Sequence, residues 1–147
     1  MSDAYLIMIA EDVKDLLNAG EFSMSFTAER AYAPSSRLEE LKDLKVWVVP
    51  KGEQITPVSR TGNNVVYTVD VAVQKQARTV ADCDPLMRLT EEIADYLDRR
   101  ELPSVSGAVW VGTTRRPIFR PEDLYERHLF TAVVTLSYRL VRWAPQT

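Results

Sequence analysis

The sequence predicts an α+β fold, a mostly antiparallel twisted β-sheet with two main helices packed on one face. Two segments place apolar side chains at helical spacing, and several longer runs alternate apolar and polar residues as strands do. The 147 residues are 46% apolar and 27% charged, which is typical of one globular domain. The expected order is α-β-β-(β)-β-α-β-β in a single domain over residues 1–147.

The first helix is predicted from about residue 3 to residue 18, with apolar side chains on one arc and charged ones opposite. Gly20 is expected to end it in a left-handed conformation. Ile7 and Met8 interrupt the polar arc. They either tuck under a nearby loop or contact another subunit, and the second interpretation makes them candidate interface residues.

Two strands and a helical turn are predicted next. Residues 22–33 are predicted as a half-buried strand, because residues 22–29 alternate in polarity. Three leucines among charged residues indicate a short helical turn at residues 38–44. A compact strand follows at residues 46–49, and the Pro-Lys-Gly sequence at residues 50–52 is expected to stop it.

The middle of the chain carries the strongest strand signal. The sequence predicts a further short strand at residues 55–60, in which Pro57 indicates a sheet edge. After a turn at residues 61–64, valine and tyrosine alternate with other residues from Val65 to Val73. We expect this long strand to lie at the centre of the sheet.

The second helix is predicted to begin at Asp84, with Pro85 at its first helical position, and to run to about residue 100. Its apolar stripe comprises Leu86, Leu89, Ile93, Tyr96 and Leu97. Its outer face is expected to carry ion pairs between side chains four residues apart, Arg88 with Glu92 and Asp95 with Arg99.

The last third of the chain is predicted to form two strands joined by an arginine-rich loop. Residues 105–114 form a strand that is apolar on both sides, and residues 115–121 form the irregular loop. One helical turn at residues 122–127 leads into a long closing strand at residues 129–143. One face of that strand comprises Phe130, Ala132, Val134, Leu136, Tyr138 and Leu140.

Few reactive side chains are available for catalysis. One cysteine, Cys83, and one histidine, His128, exclude an internal disulfide and the usual multi-cysteine or multi-histidine metal sites. The acidic neighbours of Cys83 raise a thiol pKa, which disfavours a nucleophile. A cation held by Asp82, Asp84 and Asp70 is less simple than helix capping by Asp84.

Cofactor binding and membrane association are not expected either. The five glycines are scattered and form no phosphate-binding loop. The longest apolar run has seven residues, far fewer than the roughly 20 that cross a bilayer. The sequence also lacks the basic start of a signal peptide. From the reactive side chains, the glycines and the apolar runs together, we expect no catalytic residue, no metal, no cofactor and no membrane partner.

Charge is divided unevenly along the chain. Residues 1–98 carry ten basic and seventeen acidic side chains, whereas residues 99–147 carry eight arginines and four acids. This division indicates charge-matched contacts between copies of the chain, unless it is chance clustering on one surface. The candidate interface residues at the arginine-rich loop are Arg115, Arg116, Phe119 and Arg120. Their candidate partners on the second helix are Glu91, Glu92, Asp95 and Asp98.

The arginine-rich loop has two other interpretations. Arginines interleaved with Phe119 could bind phosphates and stack on bases, but the acidic chain shows no nucleic-acid recognition motif. Non-specific lining of a passage that DNA crosses is the more plausible of the two. Salt bridges between subunits are the use we favour.

The layout of hydrophobic segments over nearly the full chain resembles a known family. The segments that carry the resemblance are residues 16–20, Phe22 and Phe26, Leu38 and Leu41, residues 46–50, residues 59–60, residues 67–73, residues 84–86 and residues 130–139. The layout is similar to that of small tail-completion proteins of tailed bacteriophages, particularly the tail terminators. Each motif is a strand or helix pattern, so no functional residue is carried over from the family.

The resemblance implies a structural role in the virion. Tail terminators have an α+β fold and form a hexameric ring that caps the tail-tube protein and stops tube growth. The other face of the ring meets the head connector or stopper protein, DNA passes through the ring, and no cofactor takes part. The resemblance thus implies a protein of the virion tail or neck, assembled in the host cytoplasm.

Two alternatives remain open at this point. Other neck proteins, the head–tail stopper and the adaptor, are neighbours in function. A small α+β enzyme or ligand-binding domain is the alternative from a different class. Its site would be expected at Tyr67, Asp70 and the loop of residues 115–120.

Overall fold

The computed structural model describes residues 4–34, 37–115 and 119–143. It has three α-helices, one 3₁₀ helix and five strands in these ranges. In chain order they are α1 (Tyr5–Ala19), β1 (Ala28–Arg30), the 3₁₀ helix (Leu38–Lys42), β2 (Lys45–Pro57), β3 (Gly62–Gln76), α2 (Val80–Leu97), β4 (Val109–Thr114), α3 (Pro121–Arg127) and β5 (Leu129–Trp143). The fold is α+β, as predicted.

The five strands form one mixed sheet in the order β1-β2-β3-β5-β4. All neighbours are antiparallel except β1 and β2, which run parallel. β3 therefore lies at the centre, as the sequence predicted. β5 pairs with β3 over its whole length, from Trp143 opposite Gly62 to Leu129 opposite Gln76. The predicted bounds of this closing strand are confirmed.

One face of the sheet, here called the front face, holds the main core. Successive residues of a strand point to opposite faces, so every second side chain of β3 and β5 meets the core. The front-face side chains of these two strands are buried, and they are Val65, Tyr67, Val69, Val71, Val73, Phe130, Ala132, Val134, Leu136, Tyr138 and Leu140. The predicted apolar face of β5 is confirmed residue by residue.

The two long helices cover this front face. Ile9, Val13 and Leu17 of α1 belong to the same buried cluster as the strand side chains and the apolar stripe of α2. The Tyr96 hydroxyl donates a hydrogen bond of 2.9 Å to the carbonyl oxygen of Leu16, which joins α2 to α1. The expectation of two main helices on one face is confirmed.

Gly20 does not adopt the left-handed conformation that was predicted. Its φ is −84°, and its backbone is extended. A Cβ atom at this position would lie 2.9 Å from the rings of both Phe22 and Tyr96. The glycine is therefore needed for close packing of these rings, not for a left-handed cap.

The predicted strand at residues 22–33 shrinks to the three residues of β1. Its alternation is real, because Phe22, Met24 and Phe26 are half-buried and the residues between them are exposed. The Phe22 ring packs on Tyr96 of α2 and on Phe26, with ring centroids 5.2 Å apart in both pairs, and only residues 28–30 pair with β2. The segment is extended because one side of it is buried, although it lies outside the sheet.

Residues 46–49 and 55–57 belong to one strand, so the predicted stop at residues 50–52 is wrong. The register of β2 against β3 shifts between Pro50 and Gly52, and the strand continues through this bulge. Pro57 lies at a sheet edge as predicted, because β1 pairs only with residues 46–48 of β2. The other edge of β2 beyond residue 48 therefore pairs with no strand among the residues that the structure describes.

The second helix begins earlier than predicted, at Val80. Thr79 is the N-cap, and its hydroxyl accepts a hydrogen bond of 3.2 Å from the amide of Asp82. The Asp82 carboxylate accepts the amide of Thr79 in return, which completes a capping box. Asp84 is therefore not the cap, and Pro85 is the sixth residue of the helix.

Of the two ion pairs predicted on α2, one is present. Arg88 lies 3.5 Å from Glu92. The pair between Asp95 and Arg99 is wrong, because α2 ends at Leu97 and Arg99 has a positive φ of 56°. Its guanidinium instead contacts the adjacent Asp98 at 2.9 Å.

β4 is also shorter than predicted, while α3 matches the predicted helical turn. Residues 105–108 form a turn in which the amide of Ala108 bonds the carbonyl of Val105, with Gly107 at a φ of +88°. β4 begins only at Val109. Its register against β5 shifts between Trp110 and Gly112, which places a bulge at Val111.

Candidate assembly surfaces

Cys83 and His128 line the same open groove, a proximity that sequence spacing did not indicate. The groove has a volume of about 460 Å³ and lies between the start of α2 and α3. Its apolar lining comprises Val80, Met87, Phe119, Leu124, Tyr125 and Phe130. Burial raises the pKa of the Cys83 thiol, and the charges of Asp82 and Asp84 raise it further. The thiol is therefore held protonated at neutral pH.

We expect Cys83→Ser to leave folding and assembly intact. The side chain is half-buried, so exchanging sulfur for oxygen should change the free energy of unfolding by no more than about 1 kcal/mol. Urea denaturation and the assembly state of the purified variant measure the two properties. Loss of function with an unchanged unfolding midpoint would instead indicate chemistry at the thiol.

The three aspartates considered for a cation do not come together. Asp82 caps α2, whereas Asp70 lies on the opposite, back face of the sheet. There its carboxylate accepts a hydrogen bond of 2.7 Å from Thr135 and lies 3.7 Å from Lys51. In the described ranges no three histidine, cysteine or acidic side chains converge on a metal position.

The alternative ligand site is also divided by the sheet. Tyr67 is fully buried under the helices on the front face, while Asp70 is on the back face. The two side chains therefore cannot contact one small molecule together. The ligand-binding alternative required Tyr67 and Asp70 to line one site, and their positions on opposite faces of the sheet contradict it.

The acidic side chains of α2 differ in what they contact. Glu92 accepts hydrogen bonds from the amide and hydroxyl of Ser23 at 3.0 and 2.7 Å, which lower the pKa of its carboxyl. It holds residues 20–27 against the helix and is a structural residue. Glu91, Asp95 and Asp98 are exposed. Of these three, only Asp98 forms an ion pair within the described ranges, with Arg99.

The arginine-rich loop is anchored by its aromatic residue. Phe119 is half-buried and stacks on Phe130, with ring centroids 5.8 Å apart. Arg115 is half-buried, and its Nε is shielded from solvent without a hydrogen-bond partner among the described residues. Arg120 is exposed at the N-cap position of α3. Arg116 lies outside the described residues.

Ile7 and Met8 are both half-buried. Met8 packs against the main core. One turn further along α1, Asp12 is buried and accepts a hydrogen bond of 2.9 Å from the amide of Ser104. The chain around Ser104 thus covers the arc that looked polar, and the loop interpretation fits Met8.

One surface of the sheet was not singled out from the sequence. Arg139, Val141 and Trp143 occupy alternate positions of β5 opposite to the buried ones, and Val109 of β4 lies beside Arg139. We call these four residues the back-face patch. The sequence did contain a signal for this patch, because Val141 and Trp143 are apolar at positions where a half-buried strand is usually polar. Only the register shows that Val109 joins them.

The described helices include none with both the length and the apolar character needed to cross a membrane.

The chain is a small α+β domain with three distinctive surface features, which are Arg120 of the arginine-rich loop, the exposed acidic side chains of α2 and the back-face patch. No family model matches the chain. No curated protein matches it either. Among solved structures, the chain is similar to a chain in the structure described as the virion of a native gene transfer agent particle. The two are 13% identical with a TM-score of 0.52, and the match covers 95% of this chain and 96% of that chain. This likeness shows a shared fold over the whole domain.

Proposed function

We propose that this chain is a structural virion protein of a tailed, phage-like particle and serves as its tail terminator. In this role it caps the tail tube, ends its polymerisation and forms the joining surface to the head connector, as a ring of six copies. The observation that carries the proposal is the fold match to a virion chain of a gene transfer agent over 95% of the sequence.

The surfaces of the domain support an assembly role. A fold alone does not define a function, so the function must be argued from exposed residues. Arg120, Glu91 and Asp95 are exposed and have no ion pair within the described ranges. Charges of both signs that are left unmatched within a chain are suited to partners that supply the opposite charge. The partners we propose are further copies, the tail-tube protein and the connector or stopper.

DNA would cross such a ring without being read. The chain carries a formal net charge of −3, and its arginines are distributed over several elements. Contact with DNA would therefore be limited to non-specific attraction between phosphates and individual arginines. The same proposal places the protein in the tail or neck of the virion, after assembly in the host cytoplasm.

Tube polymerisation tests the terminator role directly. Tail-tube protein is polymerised with and without the purified chain, and tube lengths and ends are measured by negative-stain electron microscopy. A terminator gives shorter tubes with a six-fold ring at one end, and tubes polymerised alone are the control. A stopper or adaptor would leave tube length unchanged and bind the connector instead, while binding to neither would contradict a role in the neck.

A further inference from the structure

The back-face patch combines a tryptophan, two valines and an arginine on an open sheet surface. Trp143 is 68% exposed, Val109 50% and Val141 41%. The Trp143 ring lies directly over Gly62, where a Cβ atom would be 2.8 Å from the ring. The glycine thus lets the indole lie flat on β3 with its outer side in solvent.

Arg139 lies among these apolar side chains. In the register it is opposite Val66 on one side and Val109 on the other. Its side chain is exposed and forms no hydrogen bond or ion pair to any described residue. Tryptophan and arginine are among the residues most enriched at the centres of protein interfaces. A partner of this patch must therefore supply a carboxylate beside apolar contact area.

The chain itself carries a surface of that kind on its other side. Asp84, Glu91 and Asp95 of α2 are exposed and have no ion pair among the described residues. Their spacing of seven and four residues aligns them in one row, about 16 Å long, on the helix surface. Arg88 lies in the same row between Asp84 and Glu91, and its charge is paired with Glu92 at 3.5 Å. We call Asp84, Glu91 and Asp95 the α2 acidic row. The exposed Val80 and half-buried Met87 lie on the same helix near its start.

The patch and the row cannot meet within one molecule. α2 packs on the front face of the sheet, whereas Arg139 projects from the back face. Complementary surfaces on opposite sides of one protomer are the condition for head-to-tail contacts, which close into a ring when the rotation allows it. A symmetric dimer would instead need both surfaces of each copy to lie in one shared interface, and their positions on opposite sides of the protomer prevent this.

We propose that the back-face patch of one copy docks on the α2 acidic row of the next copy. Trp143 and the valines supply the apolar contact, and Arg139 pairs with Glu91 or Asp95. The inference rests on the proposed function for the closed ring, but the contact between copies can be tested without tail tubes. It assigns the contact to Arg139 and not to the loop of residues 115–120.

Charge reversal and rescue test the contact. Self-association is measured by sedimentation over a range of concentrations and salt, alone and then with tail tubes. We expect Arg139→Glu to weaken association at least tenfold, and the double variant Glu91→Arg with Asp95→Arg to do the same. Combining all three substitutions should restore most of the lost affinity. Higher salt should weaken the wild type.

The controls separate this proposal from its alternatives. Lys42→Glu makes the same charge change at an exposed position of the 3₁₀ helix, outside both surfaces, and should leave self-association unchanged. Arg120→Glu tests the alternative contact through the arginine-rich loop. All of these side chains are exposed, so the substitutions should leave the melting temperature of the monomer almost unchanged. Thermal unfolding of each variant checks this. Disruption by Arg120→Glu with no effect of Arg139→Glu overturns the proposal, as does a wild type that stays monomeric both alone and on tubes. Normal ring formation without tube capping would contradict the proposed function and leave the contact standing.

Discussion

Truncating Phe130 to alanine should lower the free energy of unfolding by about 3–5 kcal/mol. The side chain is 1% exposed in β5, where it belongs to the main core and supports the Phe119 ring. Alanine would remove its apolar area and leave a cavity beneath the loop and α2. Since domains of this size are stable by only about 5–15 kcal/mol, this is a large fraction of the total. Urea denaturation with an unchanged m-value measures the effect.

Phe119→Ala is the matched control because it removes the other ring of the same stack. Phe119 is half-buried, so we expect a smaller loss of about 1–2 kcal/mol. A loss as large as that of Phe130→Ala would make Phe119 a core residue and remove it from the candidate interface. Normal stability with weaker assembly would keep it there.

The strands β3 and β5 could be predicted because the front face of each is buried over most of its length. In β5, apolar residues fill every front-face position from Phe130 to Leu140, and this pattern predicts the strand. In residues 22–27 the same alternation misled, since it reports burial of one side and not pairing with a neighbour. The Phe22 ring packs on Tyr96, which no local pattern shows.

Element ends were harder to predict where two signals competed. Asp84-Pro85 is a good helix start, but Thr79 and Asp82 make two reciprocal hydrogen bonds and begin α2 earlier. In β2 the Pro-Lys-Gly sequence resembled a turn. Pairing with β3 on both sides of the bulge keeps the strand continuous, because the long partner strand supplies hydrogen bonds that a turn would lose.

The candidate surfaces were predictable in charge and not in geometry. The excess of arginine after residue 98 can be counted in the sequence. The stacking of Phe119 on Phe130, which anchors the loop, cannot be inferred from it. The back-face patch depends on Val109 of one strand lying beside Arg139 of another. Such a neighbour relation is a property of the register, and a single sequence does not contain it explicitly.

The stability of the protein should fall steeply above about pH 10, in large part because of Tyr138. This side chain is fully buried, and its hydroxyl has no hydrogen-bond partner among the described residues. Burial raises the pKa of Tyr138 far above its usual range, and the charge of Asp12 adds to the effect. Above about pH 10 the unfolded chain releases this proton while the folded chain retains it. The contribution of Tyr138 to stability is therefore constant below that pH and is lost as pH rises.

Tyr138→Phe tests this assignment. Removing an unpaired buried hydroxyl should raise the free energy of unfolding near pH 7 by about 1 kcal/mol. Above pH 10 it should remove a loss of up to about 1.4 kcal/mol per pH unit. Urea denaturation between pH 7 and pH 11 measures both effects. Tyr125→Phe is the matched control, because that side chain is 80% exposed on α3, and it should reproduce the wild-type curve. A destabilised Tyr138→Phe variant would show instead that the hydroxyl has a partner in the folded protein.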